Sequence, residues 1–389
     1  MLDKIYFPIF GSGLGHVTRI YALAEYLREE GDEFRYSTFD EAFEFLKERG
    51  EKVQLCPSVD LKWNESGGFS SGSSIVRFPL LMHAFSKQIE FEKNNISNFD
   101  PDIVVCDSRL SAVFAARLKS TPVVTILNQF KILFPPRFRG GLGSRLLERI
   151  SGNMLGLFWS LSDEILMPDL PPPYTISEAN VTGSDVANRL RYVGFMSPKT
   201  IVSEDRIWKA RASLELSNRP LVLIQISGPR ATKTRLTEVA MESADQLSKN
   251  CNVVISMGQP NGSIEPRKFA NNSWLYEWCP IKDELFVLSD IIVARAGHTT
   301  ISQCVELGKP AVYVPISNHS EQIWNAEKCQ KLGIGLELKS EDLSAINLVG
   351  AVEGCLNDSR YAENAQKLKL VSDRYNGTQT AARIIRSYL

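Results

Sequence analysis

The chain has only four histidines, His16, His83, His298 and His319, and two of them close glycine turns. The first lies in FPIFGSGLGHVTR, residues 7–19, where an apolar strand-like run meets a glycine loop and His16 follows. An ordinary imidazole titrates near ~6.5, so it can take a proton from a hydroxyl at neutral pH. A histidine used this way is usually oriented by a carboxylate. PDIVVCDSR, residues 101–109, offers Asp107 at the end of another strand-like run. GSGLGH also reads as a dinucleotide fingerprint, but His16 replaces the last glycine of G-x-G-x-x-G. The acidic residue expected after the next strand is matched only by Asp40, inside the helix-like FDEAFEF, which leaves that reading weak. A histidine-placing turn fits better, with Gly13 and Gly15 letting an acceptor approach and Asn128 at a neighbouring strand end.

The second turn is in DIIVARAGHTTISQCVELG, a strand running into an amphipathic helix that Gly308 stops. Gly297 permits close backbone approach, and the N–H groups of His298, Thr299 and Thr300 would face outward. A helix N-terminus carries roughly half a positive charge, which suits a diphosphate. An ordinary connection with Thr299 as N-cap fits the spacing equally well. Upstream, LVLIQISGPRATKTR (221–235) ends a strand at Ser227 and Gly228 and is basic through Arg230, Lys233 and Arg235. It reads either as a phosphate-facing loop or as a solvated basic loop. No metal is expected: the histidines lack ligand spacing, and the Asp-Pro-Asp at 100–102 reads as a turn.

Two sets of elements must hold these residues. Strand candidates KIYFPIF, FRYSTF, KVQLCP, DIVVCD, PVVTILN, EILMP and RYVGF alternate with helical patterns in the first half. After a polar stretch at 196–218 the alternation restarts with PLVLIQIS, NVVISMG, SWLYEW, DIIVARAG, PAVYVP and GIGLEL. This β-α-β rhythm predicts two doubly wound α/β domains, 1–196 and 197–389. In such sheets ligands sit beyond the carboxyl ends of strands, where the strand order reverses. The 389 residues are 43% hydrophobic and 23% charged with net charge −1, so global electrostatics do not point to nucleic acid. Seven scattered cysteines, no leader-like N-terminus and no membrane-length apolar run predict reduced thiols in a cytoplasmic protein.

The order of WCP, RAGHTT, GKPAVYVP and EQIWNA within 278–326 resembles the nucleotide-sugar signature of inverting GT-B glycosyltransferases, MurG-like and plant-type UDP-glycosyltransferases. The resemblance implies two Rossmann-like domains facing a central cleft, an N-terminal acceptor domain and a C-terminal domain for a UDP-sugar, with no metal or other cofactor. It implies that Trp278 lies against the base, with backbone bonds from Cys279 to Ile281. Arg295, Gly297, His298, Thr299 and Thr300 would surround the diphosphate, joined by Ser227, Gly228 and Arg230. Glu321 and Gln322 would meet the donor sugar, and Asn325 would hold the loop or a phosphate. His16 would be the base and Asp107 its orienter. Gln303 stands where the family often has a ribose-binding Glu, which leaves room for a deoxyribose donor such as a dTDP-sugar. A nucleotide-sugar hydrolase with the same histidine, and a non-catalytic nucleotide-sugar-binding subunit, are the alternatives. The last helix, about 378–389, is expected to cross back to the first domain.

On the acceptor side, residues 131–162 interleave Phe134, Phe138, Leu146, Leu147, Ile150, Phe158 and Trp159 with Lys131, Arg137, Arg139, Arg145 and Arg149. The composition suits either an anionic membrane surface bearing a lipid-linked acceptor, on the inner face, or a core helix with a solvated basic face. A small-molecule acceptor is the other partner expected. GGFSSGSS, residues 67–74, reads as a loop able to close over an acceptor.

Overall fold

The computed structural model describes residues 3–29, 31–58, 78–129, 131, 133, 142–181, 187–228, 230–259 and 261–389. The chain divides into two compact units, one taking the described residues up to 198 together with Tyr375–Leu389, the other Lys199–Arg374.

The first unit runs β1 (Lys4–Pro8), α1 (Leu14–Leu27), β2 (Glu33–Thr38), α2 (Asp40–Glu48), β3 (Val53–Leu55), α3 (Phe78–Phe99), β4 (Ile103–Asp107), α4 (Leu110–Leu118), β5 (Val123–Ile126), α5 (Leu142–Trp159), β6 (Glu164–Met167), α6 (Glu178–Val181) and β7 (Leu190–Tyr192). Its strands pair in the order β3-β2-β1-β4-β5-β6-β7, all parallel. A parallel sheet is covered on both faces, so its central strands are apolar throughout. In β1 and just after it, Ile5, Phe7 and Ile9 pack on one face with Ile20 and Leu23 of α1, while Tyr6 packs on the other with Val104, Cys106 and Ala112. The chain winds outward from β1 to β2 and β3, then returns beside β1 as β4. The strand order therefore reverses between β1 and β4.

The second unit runs α7 (Glu204–Ser213), β8 (Leu221–Gln225), α8 (Arg230–Leu247), β9 (Asn252–Ser256), β10 (Arg267–Ala270), β11 (Ser273–Tyr276), α9 (Lys282–Leu288), β12 (Ile291–Ala294), α10 (His298–Leu307), β13 (Ala311–Tyr313), α11 (Ser320–Lys331), β14 (Gly335–Glu337), α12 (Ala345–Asn357) and α13 (Ser359–Ser372). The order β10-β11-β9-β8-β12-β13-β14 is parallel apart from the β10–β11 pair, and it reverses between β8 and β12. Arg206 of α7 reaches Glu284 of α9 with its Nε at 2.6 Å. The closing helix, α14 (Gly377–Arg386), belongs to the first unit. Its Ala381, Ile384 and Ile385 join the core that α1 covers. A side chain at Gly377 would strike the backbone of Gly194 and Phe195.

Local boundaries differ from the sequence reading in four places. Helix α1 begins at Leu14, so His16 sits in its first turn instead of ahead of it. Helix α8 begins at Arg230, so Lys233 and Arg235 are helical and not part of a basic loop. Gly297, not Thr299, is the N-cap of α10. Strand β10 escaped the reading because RKFA is short and half charged, as suits an edge strand.

Candidate active site

The first reversal point brings together the end of β4 and the start of α1. His16 Nδ1 lies 2.7 Å from Asp107 Oδ1, with His16 partly open and Asp107 fully buried. Arg19, one helical turn beyond His16, completes the cluster. Its Nε and Nη2 donate to the two carboxylate oxygens of Asp107 at 2.5 and 2.6 Å. Its guanidinium also reaches Asn128 Oδ1 at 3.4 Å. Burial alone would raise the Asp107 carboxyl; the charge of Arg19 and then His16 overcome that and hold it at about 2. Asp107 is therefore an anion across the working range and holds Nδ1 of His16 as a donor, which leaves Nε2 to accept a proton. Phe10 packs edge-on against the imidazole at 5.4 Å.

A second buried group braces this site from below. Glu92 accepts from Arg109 at 2.5 Å, from Tyr6 at 2.5 Å and from Ser37, while Arg109 also donates to the carbonyl of Ile9. The glycines divide their work. A side chain at Gly11 would overlap the Phe39 carbonyl, whereas Gly13 has φ +78 and open space around it. The Gly13 N–H donates to Glu41 Oε2 at 2.8 Å. Gly15 lies within the first turn of α1.

The second reversal point brings the turn after β8 beside the turn after β12. Ser227 and Gly228 follow β8, and Gly228 has φ +107, which a side chain would strain. Gly297 supplies no capping side chain to α10, and nothing lies within 4 Å of where its Cβ would be. The leading N–H groups of the helix, those of His298 and Thr299, have no acceptor within the helix. Asn325, fully buried, braces the turn by donating from Nδ2 to the Ala296 carbonyl at 3.3 Å. Glu321 and Gln322 lie in the first turn of α11, which His319 caps. Gln322 Oε1 accepts from the Ile316 N–H at 3.0 Å, leaving its amide nitrogen to donate to a ligand. Trp278 is 39% exposed and so is not a core aromatic. Ile281 caps α9, and Cys279 is buried with its thiol pushed up to about 12 by that burial.

Some residues do not take the expected places. Arg295 is buried, and its guanidinium donates to the backbone carbonyls of Val314 at 3.0 Å, Pro315 at 3.3 Å and Thr232 at 2.5 Å. It clamps the end of β13 to α8 instead of surrounding a phosphate, because burial leaves the cation no solvent and the carbonyls replace it. That burial lowers it to about 10. Lys233 donates to the Gly258 carbonyl at 2.5 Å, and Arg235 to that of Leu343 at 3.3 Å. Gln303 Nε2 donates to Thr200 Oγ1 at 2.8 Å and to Asp283 Oδ1 at 3.3 Å. The side chain of Arg230 and the segment 67–74 lie outside the described residues, as do Phe134, Arg137, Phe138, Arg139 and the side chain of Arg145. On α5 the exposed residues are mostly apolar, Leu146, Leu147, Ile150, Met154, Leu157 and Phe158, with Arg149 among them. Lys131, expected in solvent, is buried. Among the described residues no helix is long and apolar enough to cross a membrane, and no group of three or more His, Cys, Asp or Glu is placed to hold a metal ion.

Two doubly wound sheets with paired sites at their reversal points define the GT-B class of fold. Over its full length the chain superposes on the glycotransferase of kitacinnamycin with a TM-score of 0.71 at 17% identity, covering 99% of that chain. It superposes on the Streptomyces sp. SF2575 glycosyltransferase SsfS6, complexed with thymidine diphosphate, with a TM-score of 0.64 at 16% identity, 99% of each chain being covered. Residues 231–380 match the glycosyltransferase family 28 C-terminal domain, and residues 3–134 match glycosyl transferase family 1. An uncharacterized glycosyltransferase of Methanosarcina mazei is 25% identical over 98% of this chain and 97% of its own. The UDP-N-acetylglucosamine–N-acetylmuramyl-(pentapeptide) pyrophosphoryl-undecaprenol N-acetylglucosamine transferase of Clostridium botulinum is 30% identical over 44% of this chain and 48% of its own. The chain has the GT-B glycosyltransferase fold and is an enzyme that transfers sugars, its C-terminal part similar to the family 28 C-terminal domain and its N-terminal part to glycosyl transferase family 1.

Proposed function

We propose that this enzyme moves a hexose or N-acetylhexosamine from a nucleoside-diphosphate sugar, UDP-linked first, to an acceptor hydroxyl with inversion and without a metal. The observation that carries the reading is the buried Asp107–Arg19 pair holding Nδ1 of His16 at the strand-order reversal of the first sheet. Nε2 of His16 takes the acceptor hydroxyl proton as that oxygen attacks the anomeric carbon. The bond from that carbon to the diphosphate oxygen breaks, and the nucleoside diphosphate leaves. Attack from the side opposite the leaving group inverts the centre. The open N-terminus of α10 meets the charge developing on the diphosphate. Trp278 and the backbone from Cys279 to Ile281 hold the base, while Glu321 and the amide of Gln322 hold the sugar hydroxyls.

The C. botulinum relative, whose name gives a lipid-linked acceptor, supports a lipid-linked acceptor here too. So does the exposed apolar side of α5. We place the enzyme in the cytoplasm, docked on the inner membrane face through that helix. The test is turnover of nucleotide sugars by the wild type and His16→Ala, with and without EDTA. Loss of turnover in a folded His16→Ala protein, with no effect of EDTA, is expected. Near-full turnover by His16→Ala would falsify the assignment of the base. Diphosphate release as fast without acceptor as with one would mark a hydrolase instead.

A further inference from the structure

Gln303 makes no charge of its own, yet it sits against one. Both hydrogens of its amide are committed, to Thr200 Oγ1 at 2.8 Å and to Asp283 Oδ1 at 3.3 Å. Its carbonyl oxygen Oε1 is therefore the atom it can offer to a ligand, and that atom only accepts. Asp283 offers a second acceptor. Its side chain is 47% exposed, in contrast to its neighbour Glu284, which is buried and bonded to Arg206 at 2.5 Å. A cation, Lys282, lies beside it with its Nζ 3.6 Å from the same Oδ1 that faces Gln303. Both of these contacts fall on Oδ1, and neither engages the other carboxylate oxygen, Oδ2, of this half-exposed side chain. The pair offers two adjacent acceptors, one neutral and one charged, steered by a third residue, Thr200.

Two adjacent acceptors match a vicinal diol, whose two hydroxyls each donate one hydrogen bond. Placement supports a diol that belongs to a nucleotide. Asp283 lies just after the connection carrying Trp278 and Ile281. Gln303 lies about 7–8 Å along α10 from its open N-terminus, at 1.5 Å per residue. A ribose joined at one end to a base and at the other to a diphosphate bridges those two points. A deoxyribose would leave one acceptor unpaired.

We infer that Asp283, set by Gln303 and Thr200, is the residue that reads the ribose diol, so that the donor is a ribonucleotide sugar and not a deoxyribonucleotide sugar. The inference rests on the proposed nucleotide-sugar donor. It also reverses a simple expectation. A glutamate at 303 would bring a second carboxylate within about the 3.3 Å that now separates amide from acid, and like charges at that spacing repel.

The test is calorimetric titration of the full chain with UDP and with 2′-deoxy-UDP. The wild type is expected to favour UDP about tenfold or more, as one charge-assisted hydrogen bond allows. Asp283→Asn is expected to weaken UDP by about that factor and leave 2′-deoxy-UDP within about twofold, a split that general damage to the fold would not produce. Gln303→Glu is expected to weaken UDP. Unchanged UDP affinity in Asp283→Asn, or tighter UDP binding in Gln303→Glu, overturns the inference while leaving the donor site standing. No binding of either nucleotide by the wild type overturns the donor site, and the inference falls with it.

Discussion

Asp107→Asn removes one charge and almost no volume, so its effect isolates the buried ion pair. In the wild type the carboxylate accepts two short bonds from Arg19, at 2.5 and 2.6 Å, and one from His16 at 2.7 Å. The amide keeps one acceptor and turns a donor toward Arg19, whose guanidinium remains buried with the carbonyl of Asn128 at 3.4 Å and His16 Nδ1 at 3.1 Å as its other neighbours. Stranding one member of a buried pair costs about 3–5 kcal/mol. For a unit of this size each kcal/mol moves Tm by about 2–4 °C, so a fall of roughly 6–20 °C is expected. Turnover should fall about 10²–10⁴-fold as well, because an amide does not hold His16 as an Nδ1 donor facing an anion. His16→Ala separates the two effects. It should lose turnover to a similar extent but keep Tm within about 3 °C, since the Asp107–Arg19 pair stays whole. The pH dependence has a defined sign. A carboxyl held at about 2 against an ordinary 3.8 stabilises the fold by about 2 kcal/mol above pH 4, and that contribution disappears as pH falls toward 2. Differential scanning of both variants between pH 3 and 8, with turnover at pH 7, tests all of this. An unchanged Tm in Asp107→Asn, or an equal loss in His16→Ala, refutes the ion-pair reasoning.

Glu306 of α10 is pushed up to about 7, chiefly by burial and against the pull of Lys199. A raised carboxyl favours the folded state below pH 4.5 and loses that advantage as pH rises through 7. Glu306→Gln should therefore raise the Tm of the second unit at pH 8, by up to about 2–3 kcal/mol in stability, and change it little at pH 5. An equal change at both pH values would contradict that. The exposed apolar side of α5 should bind vesicles rich in anionic lipid, and Leu147→Ser with Leu157→Ser should weaken sedimentation with them at least tenfold. Wild-type chain that stays in the supernatant at low salt would reject docking through this helix.

The sheets were legible because a parallel strand is buried on both faces and so needs an unbroken β-branched run, as in DIVVCD and DIIVARAG. The pairing of His16 with Asp107 followed from both standing at strand ends. Arg19 was not drawn from the sequence, although the signal was there: it lies three residues beyond His16, which puts both on one face of a helix. Arg295 shows the opposite failure. A cation beside a glycine turn suggests a phosphate, but whether its guanidinium faces a ligand or backbone carbonyls depends on burial, which residue type does not disclose. The Asp283–Gln303 contact joins residues of two separate helices, so no local spacing announces it. In α5 the composition was plain and the direction was not: most of its large apolar residues proved to be exposed, beside Arg149, while Trp159 is buried.

The two glycine turns are the same device put to different use by their neighbours. Each follows a strand at a reversal of strand order and opens a helix, which makes each a candidate anion site on backbone grounds alone. The difference is what occupies the N–H groups. At α1 the Gly13 N–H is taken by Glu41 at 2.8 Å, and Ser12 Oγ reaches Asp40 at 3.4 Å. Two carboxylates from α2 thus face the turn, and a phosphate brought there would meet negative charge before it met the helix dipole. Both turns have an uncapped helix end and open space at the glycine, so the two carboxylates facing the first are what separates them. On electrostatic grounds the second turn is therefore the better place for the diphosphate of the proposed donor. The first is left free to present an imidazole, and His16 occupies the position where a phosphate-binding turn would carry its last glycine.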